Sequence, residues 1–380
     1  MKKYIVLASA ALLALAACTK VQEAALQQEI SFQVANYVQT KADAQASPVK
    51  FSNADFGTYA WHHAGETTTA FMVNEKVGLK GTEWTTLDRS YFWPKTGSIN
   101  FVSYSPYVEK GGPAVTEKSI AYSAYTVSDE DLMYANRAQE QSLNTTPGTY
   151  NAVSGANGVP TLFHHALAKL SFKVKVNFTE QTDTVENPEA TAGNANNTAE
   201  SKTTWEVTLY NVTLKGHYET GDLTLDLERD GTSWGTSGWQ PNTQKVAKDV
   251  VLYDNKEGVV LTTTPMDLFD GKSFFVLPQA LVANAQQLSV KIHIKTTQPN
   301  KDEQGNNIVQ NEDLVKEVNL SEFSSLKSWG MNQNIIYTIG IKPTATVDPN
   351  NPDTASDVKI TFDPALMDWE VVDTEAVIQL

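Results

Sequence analysis

From residue 28 onward, apolar side chains recur at every second position wherever a pattern is clear. Leu170, Phe172, Val174, Val176 and Phe178 alternate with Ser171, Lys173, Lys175 and Asn177. The same spacing links Leu223, Leu225 and Leu227, and then Leu288, Val290, Ile292 and Ile294. Ile335, Tyr337, Ile339 and Ile341 repeat it, as do Val358, Ile360 and Phe362. A period of two puts one side of a strand on a core and the other in water, as in antiparallel sheets. A helix needs a period near 3.6, which no stretch sustains for three turns; Asp131 to Gln141 is the one candidate for a short helix. Short strands punctuated by Gly, Asn and Pro therefore predict an all-β chain built of β-sandwiches.

Size and charge narrow the function. A chain of 380 residues fits two domains of about 150 residues each. With 41% apolar and 19% charged residues it can bury a core, so disorder is not expected. Its formal charge of −15 repels phosphate backbones and anionic headgroups, which argues against nucleic-acid partners and peripheral membrane binding. One composition break stands out. Residues 179–203 are rich in Thr, Asn and Ala and nearly free of large apolar side chains, so they form either a long loop or an interdomain linker. Residues 343–357 make a second polar connection. The expected division is an N-terminal sandwich over 42–180, a polar segment over 181–203 and a C-terminal sandwich over 204–380.

The first residues have the form of an export signal. Lys2 and Lys3 precede an apolar run from Tyr4 to Ala14, and Leu15-Ala16-Ala17-Cys18 closes it. That is a bacterial lipobox, in which the thiol of Cys18 is acylated and residues 1–17 are removed. The run is too short for a stable membrane-spanning helix. Cys18 is the only cysteine, so no disulfide competes for it. Thr19 stands where enteric bacteria place the Asp that retains lipoproteins at the inner membrane, so the outer membrane is the expected destination.

A search for catalysis finds little. His62-His63 and His164-His165 are adjacent pairs whose members point to opposite faces of a strand, and His293 falls on a polar side beside Lys291 and Lys295. These read as surface or edge histidines. No HExxH, CxxC, P-loop or dinucleotide fingerprint occurs. Gly231-Thr232-Ser233-Trp234-Gly235 matches G-x-S-x-G, but polar loop residues flank it where a nucleophile elbow needs a buried strand and a helix. No catalytic residue, metal site or cofactor is expected. Trp93, Trp205, Trp329 and Trp369 are expected to fill cores, whereas Trp234 and Trp239, in a Gly/Ser/Thr loop, could equally stack on a sugar.

The two ends look complementary. Ile30, Phe32, Val34 and Val38 form a plausible first strand, followed by small polar residues around Lys41 and Ala42 that suit a protease. Val372, Thr374, Ala376, Ile378 and Leu380 line one face of a strand at the other end. If the first strand were cut away, its sheet would expose an apolar groove and unpaired backbone groups. The last strand of another copy could fill that groove, and because the two surfaces differ the joint would propagate head to tail. Two ordinary edge strands would give the same pattern.

Several strings tilt that balance: the lipobox at Cys18, YFWPKTGSINFVSYSP (91–106), LFHHALAKLSFKVKV (162–176), FFVLPQ (274–279), SWGMNQNIIYTIGI (328–341) and ITFDPALMDW (360–369). In this order and combination the chain resembles the fimbrillin family, the Mfa-like type V pilins of anaerobic gut and oral bacteria. The resemblance implies two transthyretin-like β-sandwich domains in tandem and export as an outer-membrane lipoprotein precursor. It also implies removal of the first strand by a trypsin-like protease at the cell surface, then polymerisation into adhesive fimbriae by exchange of a C-terminal strand. Carried over to this chain, it makes Cys18 the lipidation site, Lys41–Ala42 the scissile bond and residues 372–380 the donor strand. The partners implied are other copies or related pilins, the maturation protease and, for the precursor, the outer membrane. One departure is specific: the family's best-known members are cut after arginine, and the first arginine here is Arg89. The alternative reading is a monomeric outer-membrane glycan-binding lipoprotein using Trp234 and Trp239.

Overall fold

Each alternating run within the described residues falls on a strand. The computed structural model describes residues 28–36, 53–143, 158–186, 198–228, 238–243, 249–301, 304–323, 326–344 and 357–367. In chain order the first strands are β1 (Ser31–Asn36), β2 (Asp55–Ala64), β3 (Thr67–Lys80), β4 (Glu83–Thr86) and β5 (Ser98–Ser105). Next come β6 (Ala114–Thr116), β7 (Ser119–Thr126), β8 (Met133–Ala135), β9 (Ala138–Gln141), β10 (Val159–His165) and β11 (Ala168–Val176). The middle holds β12 (Glu180–Glu186), β13 (Thr198–Lys215), β14 (Thr220–Asp226), β15 (Trp239–Pro241), β16 (Val250–Val260) and β17 (Met266–Asp267). The last are β18 (Phe274–Val276), β19 (Gln279–Ala280), β20 (Gln287–Lys301), β21 (Asn307–Asn319), β22 (Ser328–Trp329), β23 (Gln333–Thr344) and β24 (Asp357–Met367). Helix among the described residues amounts to a 3-10 turn at Phe269–Gly271 and the short α1 (Leu320–Phe323).

The N-terminal strands run β2-β3-β4-β1-β10-β8-β5, and β5 pairs back onto β2, so the hydrogen-bonded path closes on itself. Inside it lie Ile30, Phe32, Phe56, Met72, Ile99, Phe101 and Phe163. The outer side of β5 and β8 carries Val102, Tyr104 and Tyr134 onto a second core with Ile120, Leu223, Leu225 and Trp239. That core is roofed by a small sheet, β15-β14-β7-β6, in which residues 220–226 pair with residues 119–126.

The third core is a sandwich. β11 and β23 run parallel in register from Ala168↔Gln333 to Val176↔Ile341, with β24 beyond β23. Their inward Leu170, Phe172, Val174, Ile335, Tyr337 and Ile339 face Val207, Leu209, Val290 and Ile292 of β13 and β20. Phe172 stacks on Tyr337 at 5.2 Å and 13°, and Trp329 donates its indole N–H to the Tyr337 hydroxyl at 2.9 Å. Trp93 and Trp205 are buried as expected, and Trp369 lies outside the described residues.

Two expectations need correction. Residues 131–141 form β8 and β9 in place of a helix. Leu132, Met133, Tyr134 and Ala135 are all buried, so both strand faces are covered and no alternation marks them. Residues 179–203 are neither structureless nor a linker where described, because β12 pairs antiparallel with β13 from Glu180↔Thr204 to Glu186↔Thr198. Its Thr and Val content suits a polar hairpin that extends a sheet.

Candidate functional site: the slot of the first strand

β1 sits between two strands far from it in sequence. It runs parallel to β10, Phe32↔Val159 through Asn36↔Phe163, and antiparallel to β4, Ser31↔Thr85 and Phe32↔Trp84. Ile30, Phe32 and Val34 point inward at 0%, 4% and 8% exposure, so the expected face of the first strand is a core face. Phe32 lies edge-on to Phe56 and Phe101, and Phe56 in turn meets Phe163 at 5.3 Å. Burying three such side chains contributes about 1.5–3 kcal/mol apiece. Gly158, at φ +106°, lets β10 come close: a Cβ there would lie 3.0 Å from the Gln33 nitrogen.

The walls of the slot hold themselves in place. Glu75 on β3, 8% exposed, accepts the Tyr91 hydroxyl at 2.7 Å and the Arg89 guanidinium at 2.5 Å. Burial, and then the bond to Glu75, pushes the Tyr91 hydroxyl up to about 12, so it stays a donor. This ties down residues 89–93, whose backbone receives the chain ahead of β1. Ile30 N donates to Tyr91 O at 2.8 Å and Trp93 N to Gln28 O at 3.0 Å. None of the Glu75 contacts uses β1.

Of the residues singled out in the sequence, Ile30, Phe32 and Val34 are brought together here. Val38, Cys18, Lys41, Ala42, Trp234 and the terminal strand Val372, Thr374, Ala376, Ile378 and Leu380 lie outside the described residues. Trp239 is corrected: it is 5% exposed, donates its indole N–H to Ala166 O at 2.7 Å, and offers no face to a sugar. His62 and His63 are partly exposed, whereas His164 and His165 are both 2% exposed. The latter two stand where β10 pairs with β8, and there both faces of the strand are covered, so they are not the surface or edge histidines expected. His164 stacks on Tyr134 and bonds to Asn136 Oδ1 at 2.8 Å, and His165 Nδ1 lies 2.6 Å from the buried Asp131. Among the described residues no group of three or more His, Cys, Asp or Glu side chains is placed to hold a metal ion.

What the sequence did not disclose is the pair of flanking strands. Trp84 of β4 and Val159 of β10 carry no local sign that β1 joins them, since their pairing is non-local.

A family described as fimbrillin-like matches residues 40–369. No curated protein matches the chain. Among solved structures it is similar to a fimbrial protein from Bacteroides vulgatus, at 16% identity and TM-score 0.46, over 90% of this chain and 99% of that one. It is also similar to the tip fimbrial protein Mfa3 from Porphyromonas gingivalis with a C-terminal truncation, at 10% identity and TM-score 0.30, over 83% of this chain and 94% of that one.

Proposed function

The chain belongs to the fimbrillin-like family, and on that premise we propose that it is a non-enzymatic structural subunit of an adhesive surface fimbria that polymerises by replacing its own first strand. In this reading the precursor is exported, acylated at Cys18 and cut at Lys41–Ala42, and residues 372–380 of another copy enter the vacated slot.

The observation that carries the reading is the position of β1. It closes the path between β4 and β10, and its inward face is core. β1 ends at Asn36 and the next described strand begins at Asp55, so a cut at Lys41–Ala42 would fall between the two. Loss of β1 would expose Phe56, Phe101 and Phe163 together with two rows of backbone donors and acceptors, a combination that demands a replacement strand. The walls keep their own anchors at Glu75, so the vacated slot would stay shaped for the newcomer.

Limited trypsin treatment of the purified precursor tests this. Cleavage at Lys41 is expected to yield ladders that survive detergent on unboiled gels, and deletion of 372–380 is expected to abolish them. Ladders that persist unchanged in the deletion would rule out those residues as donor. The monomeric glycan-binding alternative loses one of its two aromatic residues, because Trp239 is buried.

A further inference from the structure

We propose that the outer face of the C-terminal sandwich carries a binding site for a neutral oligosaccharide, in a polar basin made where two neighbouring strands leave regular pairing at the same point. In β13, Leu209 pairs with Ile292 and Asn211 with Lys291, which leaves Tyr210 as an extra residue. The inward positions shift accordingly, from Trp205, Val207 and Leu209 before it to Val212 and Leu214 after it. Tyr210 and Asn211 therefore both stand on the outer face, although they are consecutive. Bulges of this kind re-aim side chains and recur beside functional sites.

The neighbouring strand departs more strongly. Leu209 pairs with Val259 of β16 and Asn211 with Asp254, so residues 255–258 rise out of the ladder opposite the bulge. They are tied into a fixed wall. Asn255 Oδ1 accepts from Glu257 N at 3.0 Å, and its Nδ2 donates to the Tyr253 hydroxyl at 3.1 Å and to Gly258 O at 3.2 Å. Gly258, at φ +72°, is required: a Cβ there would stand 2.4 Å from Thr208 Cγ2 and 2.9 Å from the Tyr210 ring. The result is a depression of about 490 Å³, which lies within the roughly 300–1,000 Å³ of small-molecule sites.

Its chemistry selects the ligand. Asp254, Asp313, Lys256 and Lys291 line it, two charges of each sign, in a chain whose formal charge is −15. Such a balance favours neither an anion nor a cation. It suits hydroxyl groups, each of which donates to a carboxylate while accepting from an ammonium or amide. The groups are oriented beforehand. Asn211 Nδ2 donates to Asp254 Oδ1 at 3.3 Å, Thr213 donates to Asn211 Oδ1 at 2.8 Å, and His293 Nδ1 holds Asp313 Oδ1 at 2.8 Å. The Lys291 ammonium sits 5.9 Å from the centre of the Tyr210 ring, and the edge of that ring lies beside Gly258. The lining shares no residue with β1, so this site and strand replacement are tested separately.

The test uses the full chain, purified in detergent, on a printed array of neutral and sialylated oligosaccharides, followed by titration with the strongest-binding glycan. Neutral glycans are expected to bind. Asp254→Ala and Asp313→Ala are each expected to weaken binding by about tenfold or more, the loss of a hydrogen bond to a charged group, with the melting temperature unchanged. Should either variant melt early, Tyr210→Phe, which deletes one oxygen, is expected to weaken binding as well. An array on which nothing binds, a preference for sialylated over neutral glycans, or binding that survives these substitutions overturns the proposal.

Discussion

Phe32 stands edge-on to Phe56, ring centroids 5.6 Å apart and planes at 85°, and meets Phe101 in the same way at 5.8 Å and 86°. Phe32 is the only one of the three that belongs to β1. Truncating it in the precursor removes a buried ring and two aromatic contacts, while the cage formed by Phe56, Phe101 and Phe163 is braced by other strands and cannot collapse onto the gap. Phe32→Ala is expected to destabilise the N-terminal core by about 3–5 kcal/mol, read from urea unfolding of the uncut chain. A loss under about 1 kcal/mol would mean that the slot closes without its strand.

Acid should weaken the neighbouring core, the one that holds Tyr134, through His164. His164 is fully buried against Tyr134, and burial first, then the neighbouring His165, lower its pKa to about 3. In the unfolded chain the imidazole titrates near 6.5. Between those values the unfolded state binds the extra proton, so stability is full above about pH 6.5 and falls as pH drops toward 3, by up to about 1.4 kcal/mol per pH unit. His217 is also held down by burial, with Glu219 and Asp249 opposing, and acts in the same direction. Melting temperatures taken from about pH 7.5 to about pH 4.5 should fall less steeply in His164→Gln than in the parent. Parallel curves would exclude His164 as a source of the acid sensitivity.

A third expectation concerns the turn that sends β13 into β14, and so joins the C-terminal sandwich to the core roofed by β7. Gly216 has φ +74°, and a Cβ on it would lie 1.8 Å from Ala285 O, a backbone atom with no rotamer to change. Gln286 Nε2 also donates to Gly216 O at 3.0 Å, which pins the turn from the other side. Gly216→Ala is expected to cost roughly 1–3 kcal/mol in strain alone, with the displaced backbone adding to it. Thermal unfolding should show an early transition, and unchanged melting would mean that residues 282–286 move freely out of the way.

How much of this was legible beforehand depended on whether the determining contact was local. Alternation at Phe172, Ile292 and Tyr337 identified their strands because a half-buried strand writes its own pattern. Ile30, Phe32 and Val34 did so too, and the inward face of the slot's occupant could be named from sequence. The occupant's neighbours could not, since the parallel pairing of Phe32 with Val159 joins segments more than a hundred residues apart. Met133 and Tyr134 were mistaken for helix because burial on both faces erases the period of two. Trp239 was misjudged because its Gly/Ser/Thr surroundings describe the loop before it, while the residue itself pairs with Leu223 and reaches Ala166. The bulge at Tyr210 leaves one faint trace, a break in parity between Leu209 and Val212 that a sequence reading can detect but not place opposite another irregularity.

The last prediction separates strand replacement from any other route to a polymer. If the vacated slot is the growing end, a free peptide with the sequence of residues 28–38 should compete for it, because it carries the native face of Ile30, Phe32 and Val34 and the register that pairs Phe32 with both Val159 and Trp84. Added in excess to freshly trimmed chain, it is expected to shorten the ladders on unboiled gels in proportion to its concentration. A peptide with Phe32 replaced by Ala should compete more weakly, since it leaves the cage of Phe56 and Phe101 unfilled. A peptide whose alternation is shifted by one residue should not compete at all, because every apolar side chain would then face solvent. Ladders that grow to full length in the presence of the native peptide would place the joint elsewhere on the molecule, even if trimming still triggers assembly.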